Sequence, residues 1–164
     1  MNFDFKLKKS LTDEEFEECF AFMETYLVSI YGEDSISDEN FQIWKRNRGE
    51  KENRFFIKMQ NKEEVCGYAE ILIEDEKTMH FCDIIIKEKM RRTKIVHEFI
   101  RYLLGVENFK NIEEITLYIN RKNKTSYNTW KILGMVKDSE FKYSNRYKIL
   151  RTDVENYFNK SIVV

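Results

Sequence analysis

Residues 117–135 read LYINRKNKTSYNTWKILGM, and this stretch decides the fold class of the chain. Alternating apolar residues predict a strand from Glu114 to Ile119. A polar turn follows the strand, and Asn123 is a residue type that is favoured at helix N-termini. We therefore expect a helix from Lys124 to Leu133, which Gly134 ends. The order strand, polar turn, helix is typical of a sheet with helices packed on it.

A second strand-to-helix pattern lies upstream, where residues 84–96 read IIIKEKMRRTKIV. The continuous apolar run Ile84 to Ile86 predicts a strand that is buried on both faces. Apolar residues at helical spacing from Val96 to Leu103 predict a helix that ends at Gly105. A helix start with basic residues from Arg91 to Lys94 suits phosphate, because its N–H groups are unpaired and the helix dipole is positive there. The alternative is an ordinary solvated basic helix start.

The other elements follow from local signals. Thr12 to Glu15 has the spacing of a capping box and predicts a helix that ends at Gly32. Ser37 to Asn40 begins a shorter predicted helix that carries Phe41 and Trp44. The predicted strands are Phe3 to Leu7, Arg54 to Gln60, Val65 to Glu74, Thr78 to Lys87 and Asn145 to Arg151.

The two strand-to-helix patterns resemble the motifs of the GNAT acyl-coenzyme A N-acyltransferases. Asn123, Ser126, Gly134 and Met135 stand at the family's places in the downstream motif, and Trp130 stands where the family has a tyrosine. In the upstream motif, Arg91 fits the first place of the pyrophosphate loop, whereas its two small-residue places hold Lys94 and Val96.

The resemblance covers nearly the whole chain and implies the fold. It implies an α/β fold (α+β in layout) with the order β-α-α-β-β-β-α-β-α-β-β, in which a mixed, mostly antiparallel central sheet is flanked by helices. No repeat, low-complexity tract or change in composition marks a boundary, so we expect a single GNAT-like domain over residues 1–164.

The resemblance also implies a co-substrate, acetyl-coenzyme A, and the residues that hold it. The pyrophosphate is expected at the loop, and the pantetheine arm is expected at Asn123. Backbone N–H groups near the upstream strand are expected to polarise the thioester carbonyl. The implied coenzyme-binding residues are Ile84, Ile85, Ile86, Arg91, Arg92, Thr93, Lys94, Ile95, Val96, Asn123, Ser126 and Trp130.

The implied reaction is acetyl transfer to a primary amine, which needs a base and a proton donor. Asp83 and Glu70 lie within predicted central strands and are the candidate bases, and His80 lies near the start of one strand. Alternation places Asp83 on the opposite face from Ile84, and burial near this apolar run would raise its pKa. The alternative for each of the three residues is an ordinary surface or edge-strand position.

The family's tyrosine protonates the departing thiolate in many members, and Trp130 cannot do so because an indole N–H is not an acid. Tyr127 shares a helix face with Trp130 but lies about one turn, ~5 Å, earlier. We therefore expect water to supply the proton, with Trp130 shaping the thioester pocket. Tyr127 as the acid, or both side chains as simple packing residues, are the alternatives.

Acceptor recognition is expected in the segment from Tyr31 to Trp44, where Glu33, Asp34, Asp38 and Glu39 would suit a cationic amine. The acceptor is either a small molecule or an amine of a protein. A non-catalytic GNAT-fold protein that binds a ligand or partner is the competing function, because the loop glycines and the tyrosine are missing. A nucleic-acid binder is disfavoured by the net charge of -1.

Bulk composition agrees with a globular protein, since 42% of the residues are hydrophobic and 35% are charged. The N-terminus has no signal-peptide pattern, and no apolar run is long enough to span a bilayer. Cys19, Cys66 and Cys82 form no CxxC pair. We expect reduced thiols, no metal site and a cytoplasmic location. The oligomeric state stays open, with a homodimer among the alternatives.

Overall fold

The computed structural model describes residues 2–32, 39, 42–43 and 51–162. A seven-stranded sheet has the order β1-β2-β3-β4-β5-β7-β6, in which β4 and β5 are parallel and the pairs β1–β2, β5–β7 and β6–β7 are antiparallel. This arrangement confirms the predicted fold class. The strands are β1 Asp4–Lys8, β2 Arg54–Asn61, β3 Glu64–Ile73, β4 Thr78–Ile86, β5 Glu114–Asn120, β6 Val136–Glu140 and β7 Ser144–Leu150.

Four α-helices accompany the strands within residues 2–32 and 51–162. They are α1 Asp13–Tyr31, α2 Ile95–Leu104, α3 Lys124–Lys131 and α4 Arg151–Ile162. Short 3₁₀ helices span Glu88–Met90 and Glu107–Phe109.

Two elements were not located in the sequence. The β6 segment VKDSE has one apolar residue and lies at the sheet's edge, so no alternation marks it. The α4 helix buries Val154 and Phe158, which is too few apolar positions for a clear helical stripe. Arg151, predicted as the end of the last strand, begins α4. The predicted second helix lies outside the described residues, except that Glu39, Gln42 and Ile43 are helical.

The described residues form two compact units, and the predicted single domain stays a prediction. The first unit comprises Met1–Glu70 and Asp83–Ile100. In its core, α1 packs Phe16 against Phe56 of β2, with ring centroids 5.6 Å apart. The cluster also contains Leu11, Cys19, Phe20, Met23, Tyr68 and Ile85.

The predicted capping box at the start of α1 is present. Glu15 N–H donates to Thr12 Oγ1 at 3.1 Å, and Thr12 N–H donates to Glu15 Oε1 at 3.0 Å. Burial raises the pKa of Glu15, but hydrogen bonds from Lys8, Thr12 and Lys58 outweigh it, and the pKa falls to about 2. The helix ends at Gly32, whose φ of 88° is a conformation that glycine adopts without strain.

Gly67 of β3 allows β3 and β4 to approach closely. A Cβ atom at this position would lie 2.4 Å from the carbonyl oxygen of Ile85. Next to it, Lys87 N–H donates to the carbonyl oxygen of Cys66 at 2.8 Å. Any larger residue at Gly67 would therefore displace the end of β4.

The second unit comprises Ile71–Cys82 and Arg101–Val164. In it, Phe81 of β4 pairs with Leu117 of β5, and Leu117 pairs with Tyr147 of β7. The α3 helix covers this row, because the ring of Trp130 lies 5.5 Å from that of Phe81.

The α4 helix is attached to the second unit through its first residue. The Arg151 guanidinium donates to the carbonyl oxygens of Leu104, Phe109 and Ile112 at 2.7 to 3.2 Å. These bonds satisfy carbonyl groups at the end of α2 and in the segment that precedes β5.

Candidate functional site

The predicted phosphate loop forms a connection from β4 into α2. Thr93 Oγ1 donates to the Met90 carbonyl oxygen at 2.7 Å and accepts from Ile95 N–H at 3.3 Å. The first backbone bond of the helix runs from Glu98 N–H to the Lys94 carbonyl oxygen at 3.0 Å. In general, the first N–H groups of a helix find no acceptor within the helix itself, which makes a helix start suitable for an anion.

The strained backbone in this loop lies at Arg92. Its φ is 67°, and in the described residues Lys62 is the other non-glycine residue with a positive φ. Lys94 and Val96, at the family's small-residue places, have ordinary φ values. The backbone at Lys94 and Val96 therefore does not require glycine. The side chains at these two positions change only the space that is left for a ligand.

The side chain of Arg91 faces the protein. Its Nε–H donates to the Ile86 carbonyl oxygen at 3.0 Å, and its guanidinium lies 5.5 Å from the ring centre of Tyr26. Its Nη2 atom is buried and has no hydrogen-bond partner in the described residues. Arg92 and Lys94 are exposed. The sequence predicts that Arg91, Arg92 and Lys94 all contribute positive charge for a phosphate. In the structure, Arg92 and Lys94 are exposed to solvent, whereas Arg91 faces the protein.

A cavity of about 520 Å³ lies beside this loop in the first unit. On one side it is lined by Ala21, Phe22 and Thr25 of α1, and on the other side by Lys87, Glu88 and Lys89. Both lysines are paired with Glu64, Lys87 at 3.1 Å. Ile84, Ile85 and Ile86 precede Lys87 in the sequence. Ile85 and Ile86 are buried, and Ile84 is half-buried.

The candidate bases Asp83 and Glu70 belong to one group of carboxylates in the first unit. Burial raises the pKa of the Cys19 thiol, and the charges of Asp83, Glu70 and Glu18 raise it further. Glu70 accepts a hydrogen bond from Arg54 at 3.4 Å, and both side chains are almost fully buried. Three carboxylates thus lie near one buried thiol, and one of them, Glu70, is paired with Arg54.

Glu18 is a member of this group that the sequence did not reveal. The hydroxyl of Tyr68, which is 1% exposed, donates to Glu18 Oε1 at 2.6 Å. Burial and this hydrogen bond raise the pKa of Tyr68, so that its proton stays on the phenol. Glu18 lies between two helical core positions in the sequence, and no spacing signal marks it.

His80 belongs to the second unit, where its ring is held by neighbouring side chains. Its Nδ1 lies 2.7 Å from Thr116 Oγ1, and its ring contacts Tyr118 at 5.3 Å. Burial lowers the pKa of His80, although Glu74 at 3.7 Å opposes this effect. Burial therefore favours the neutral form of the ring, which lies beside a hydroxyl group.

The downstream motif forms the predicted strand, turn and capped helix, although the helix ends at Lys131 and not at the predicted Leu133. Asn123 is 9% exposed, and its Oδ1 accepts from Ser126 N–H at 3.1 Å, which caps α3. Ser126 is half-buried. Trp130 is 4% exposed, whereas Tyr127 is 37% exposed and its ring lies 6.0 Å from that of Tyr147.

Tyr147 is a further polar residue under α3 that the sequence did not reveal. It is 7% exposed, and its hydroxyl accepts from Asn145 Nδ2 at 3.3 Å. Arg121 Nη1 donates to Asn145 Oδ1 at 2.9 Å. Alternation within β7 places Asn145 and Tyr147 on one face, but only the pairing with β5 shows that this face lies under α3.

Within the described residues, no group of three or more histidine, cysteine or acidic side chains could hold a metal ion. In the same part of the chain, no helix combines the length and apolar character needed to cross a membrane.

Comparisons with known proteins agree with these features. Residues 12–135 match the family model that is described as the acetyltransferase (GNAT) family. The comparison with curated proteins found no match.

Solved structures of low sequence identity share the fold. PaiA N-acetyltransferase from Thermoplasma acidophilum in complex with coenzyme A has 16% identity and a TM-score of 0.68, covering 90% of this chain and 99% of that one. The Campylobacter jejuni N-acetyltransferase PseH in complex with acetyl-coenzyme A has 14% identity and a TM-score of 0.64, covering 92% and 99%. Apo FdhC, a nucleotide-linked sugar GNAT, has 15% identity and a TM-score of 0.70, covering 96% and 93%.

Proposed function

The chain belongs to the acetyltransferase (GNAT) family, and we propose that it transfers an acetyl group from acetyl-coenzyme A to a primary amine. The acceptor is a small molecule or an amine of a protein. Two of the similar structures contain coenzyme A or acetyl-coenzyme A, which supports this choice of co-substrate.

The start of α2 is the observation that carries the proposal. The α2 helix is the next α-helix after β4 and begins at Ile95, and the exposed cations Arg92 and Lys94 lie just before its first residue. Backbone N–H groups and cations together suit the pyrophosphate of coenzyme A. The loop from Arg91 to Val96 would thus hold the anion mainly through charge, because no glycines open its backbone.

The remaining coenzyme contacts are proposed from the family resemblance. Backbone N–H groups from Ile84 to Ile86 would polarise the thioester carbonyl, which stabilises the negative charge that develops on its oxygen. Asn123 and Ser126 would contact the pantetheine arm, and Trp130 would line the space for the thioester. The burial of Trp130 against Phe81 supports a shaping role.

The amine must lose a proton before it attacks the thioester, and Asp83 and Glu70 are the proposed bases. Glu70 is already paired with Arg54 at 3.4 Å. Asp83, at the start of the apolar run, is the better placed of the two to act next to Ile84.

The proposal is tested by calorimetry with acetyl-coenzyme A and by release of free thiol with a set of amines. The set contains spermidine, an amino sugar and peptides with a free N-terminus or a lysine. Lys94→Ala should weaken acetyl-coenzyme A binding by roughly fivefold or more, since one charge-assisted contact is worth about 1 kcal/mol or more. Lys122→Ala, an exposed cation in the connection from β5 to α3, is the matched control and should stay within about twofold.

Two outcomes would decide against the proposal. No heat with acetyl-coenzyme A at millimolar concentration would exclude the coenzyme as co-substrate. Binding without thiol release for any amine would instead favour the alternative, a GNAT-fold protein that binds its ligand without transfer.

A further inference from the structure

The side chain of Arg91 connects the end of β4 to α1. Its Nε–H donates to the carbonyl oxygen of Ile86, the last residue of β4, at 3.0 Å. Its guanidinium lies 5.5 Å from the ring centre of Tyr26 in α1. A charge-assisted hydrogen bond and a cation–π contact thus hold one group on two elements. The side chain at the first place of the predicted phosphate loop is therefore engaged within the first unit.

A short turn brings Arg91 back to the strand from which the loop starts. The 3₁₀ helix Glu88–Met90 follows β4. Met90 N–H donates to the Lys87 carbonyl oxygen at 2.8 Å, and Arg91 N–H donates to the Glu88 carbonyl oxygen at 3.1 Å. This turn lets the Arg91 side chain reach a carbonyl oxygen five residues earlier in the chain.

The ring of Tyr26 is supported by the core of the first unit. Tyr26 and Phe22 lie one helical turn apart in α1, and both pack against the core cluster around Phe16 and Phe56. The ring of Phe22 also lies 6.3 Å from that of Tyr68, which is 1% exposed. Because close-packed side chains hold Tyr26, the guanidinium beside its ring is attached to a fixed point.

The end of β4 has further contacts with β3. Lys87 N–H donates to the carbonyl oxygen of Cys66 at 2.8 Å. A Cβ atom at Gly67 would lie 3.1 Å from Ile86 Cδ1 and 3.2 Å from Ile86 Cα. Ile86 is thus held by β3 through packing and through its neighbour, and by Arg91 through its own carbonyl group.

One edge of the Arg91 guanidinium is turned inward. Nε and Nη2 form one edge of the planar group, and such an edge can pair with two oxygens of a phosphate. In Arg91 the Nε of this edge is bonded to Ile86, and Nη2 is buried with no hydrogen-bond partner among the described residues. Arg92 and Lys94, in contrast, are exposed. The geometry therefore separates the role of Arg91 from that of the two exposed cations.

We propose that Arg91 is a positioning residue that fixes the end of β4, and that it is not a ligand of the coenzyme pyrophosphate. This inference rests on the proposed acetyl transfer, in which backbone N–H groups from Ile84 to Ile86 polarise the thioester carbonyl. Misplacement by about 1 Å can cost about 10²-fold in rate. Arg91 and Tyr26 act on the reaction through the position of Ile86, because they hold its carbonyl group.

The first test separates turnover from binding. Arg91→Ala should lower kcat by about tenfold or more, while Kd for acetyl-coenzyme A, measured by calorimetry, stays within about twofold. Lys94→Ala is the opposite case for binding, since it should raise Kd and reduce the salt dependence of Kd. If Arg91→Ala raises Kd and reduces its salt dependence as Lys94→Ala does, Arg91 is a phosphate ligand and the proposal is overturned. An unchanged kcat in Arg91→Ala also overturns it.

Conservative variants keep the proposal testable if Arg91→Ala does not fold. Arg91→Lys keeps the charge without the planar group, so its kcat should lie between those of Arg91→Ala and the wild type. Tyr26→Leu removes the ring and should lower kcat by a larger factor than Tyr26→Phe, which keeps it. Urea unfolding gives the folded fraction by which each kcat is normalised. Equal kcat values for Arg91→Lys, Tyr26→Leu and the wild type overturn the positioning role.

A second measurement needs no acceptor. The infrared stretching frequency of the carbonyl in bound, isotope-labelled acetyl-coenzyme A reports its polarisation, because hydrogen-bond donors lower this frequency. The frequency should be lower on the wild type than in solution, and it should shift back toward the solution value on Arg91→Ala. Lys122→Ala is the control and should match the wild type. Equal frequencies on the wild type and Arg91→Ala overturn the positioning role, whereas absence of acetyl-coenzyme A binding to the wild type overturns the proposed function itself.

Discussion

Two connections in this protein lead from a parallel strand into a helix, and they are built differently. The connection from β4 to α2 uses the Thr93 hydroxyl as its cap and contains the strained Arg92. The connection from β5 to α3 uses the amide oxygen of Asn123 and contains no strained residue. The first has lost the small residues of its family motif, and the second has kept the Asn.

The difference shows what each motif requires. A side-chain cap needs a suitable residue at one position, and Asn123 stands at that position of the family motif. A phosphate loop needs N–H groups and positive charge, which Arg92 and Lys94 can supply without glycine. The backbone conformation that would favour glycine lies at Arg92, outside the family's small-residue places.

The largest effect on stability is expected from Gly67→Ala, because Gly67 packs against the end of β4, from which the first connection starts. In Gly67→Ala the new Cβ would lie 2.4 Å from the Ile85 carbonyl oxygen. The strands must move apart, which should lower the free energy of unfolding by about 1–3 kcal/mol and weaken acetyl-coenzyme A binding. The control Gly105→Ala meets its nearest atom at 3.5 Å and should change stability by less than about 0.5 kcal/mol. Urea unfolding measures both, and equal stabilities would show that β3 and β4 are not held closely.

A smaller effect separates the two caps. Asn123→Ala removes a cap with a 3.1 Å bond and should cost about 1 kcal/mol of unfolding free energy. Thr93→Ala removes a longer bond of 3.3 Å and should cost less, roughly 0.5 kcal/mol. Thr129→Ala within α3 is the control and should be nearly neutral. The predicted difference between the two caps is wrong if Thr93→Ala lowers the free energy of unfolding more than Asn123→Ala does in chemical denaturation.

The smallest effect concerns the strain at Arg92. Arg92→Gly removes the cost of a positive φ but adds entropy to the unfolded chain, so a net gain of roughly 0.5 kcal/mol is expected in thermal or urea unfolding. Arg92→Ala keeps the strain and should give no gain. Lys62→Gly, at the other strained position, should behave like Arg92→Gly without changing acetyl-coenzyme A binding. If Arg92→Gly destabilises the protein, the positive φ is not a source of strain.

Local signals explain what could be predicted. The capping box from Thr12 to Glu15 and the Asn123 cap each depend on residues a few positions apart, so spacing alone reveals them. Strands with regular alternation were located within one or two residues. The edge strand β6 and the sparse apolar stripe of α4 lack such a pattern, and the sequence did not show them.

The candidate site was predictable only in part, for the same reason. Asp83 and Glu70 could be placed on central strands, but their grouping with Glu18 depends on how α1 packs on the sheet. The direction of Arg91 depends on the Ile86 carbonyl and on Tyr26. Basic residues near a helix start look alike in a sequence, whether they face solvent or the protein.

The sequence by itself determined the family, most of the elements and the two motif frames, because short-range spacing encodes helices, strands and caps. The tertiary structure decided which side chains meet across strands. Gly67 is needed because the carbonyl oxygen of Ile85 leaves no room for a side chain. The pairing of Tyr147 with Leu117 places Tyr147 on the sheet face that α3 covers. Such contacts join residues that are far apart in the chain, and their register is set by the packing of the whole sheet.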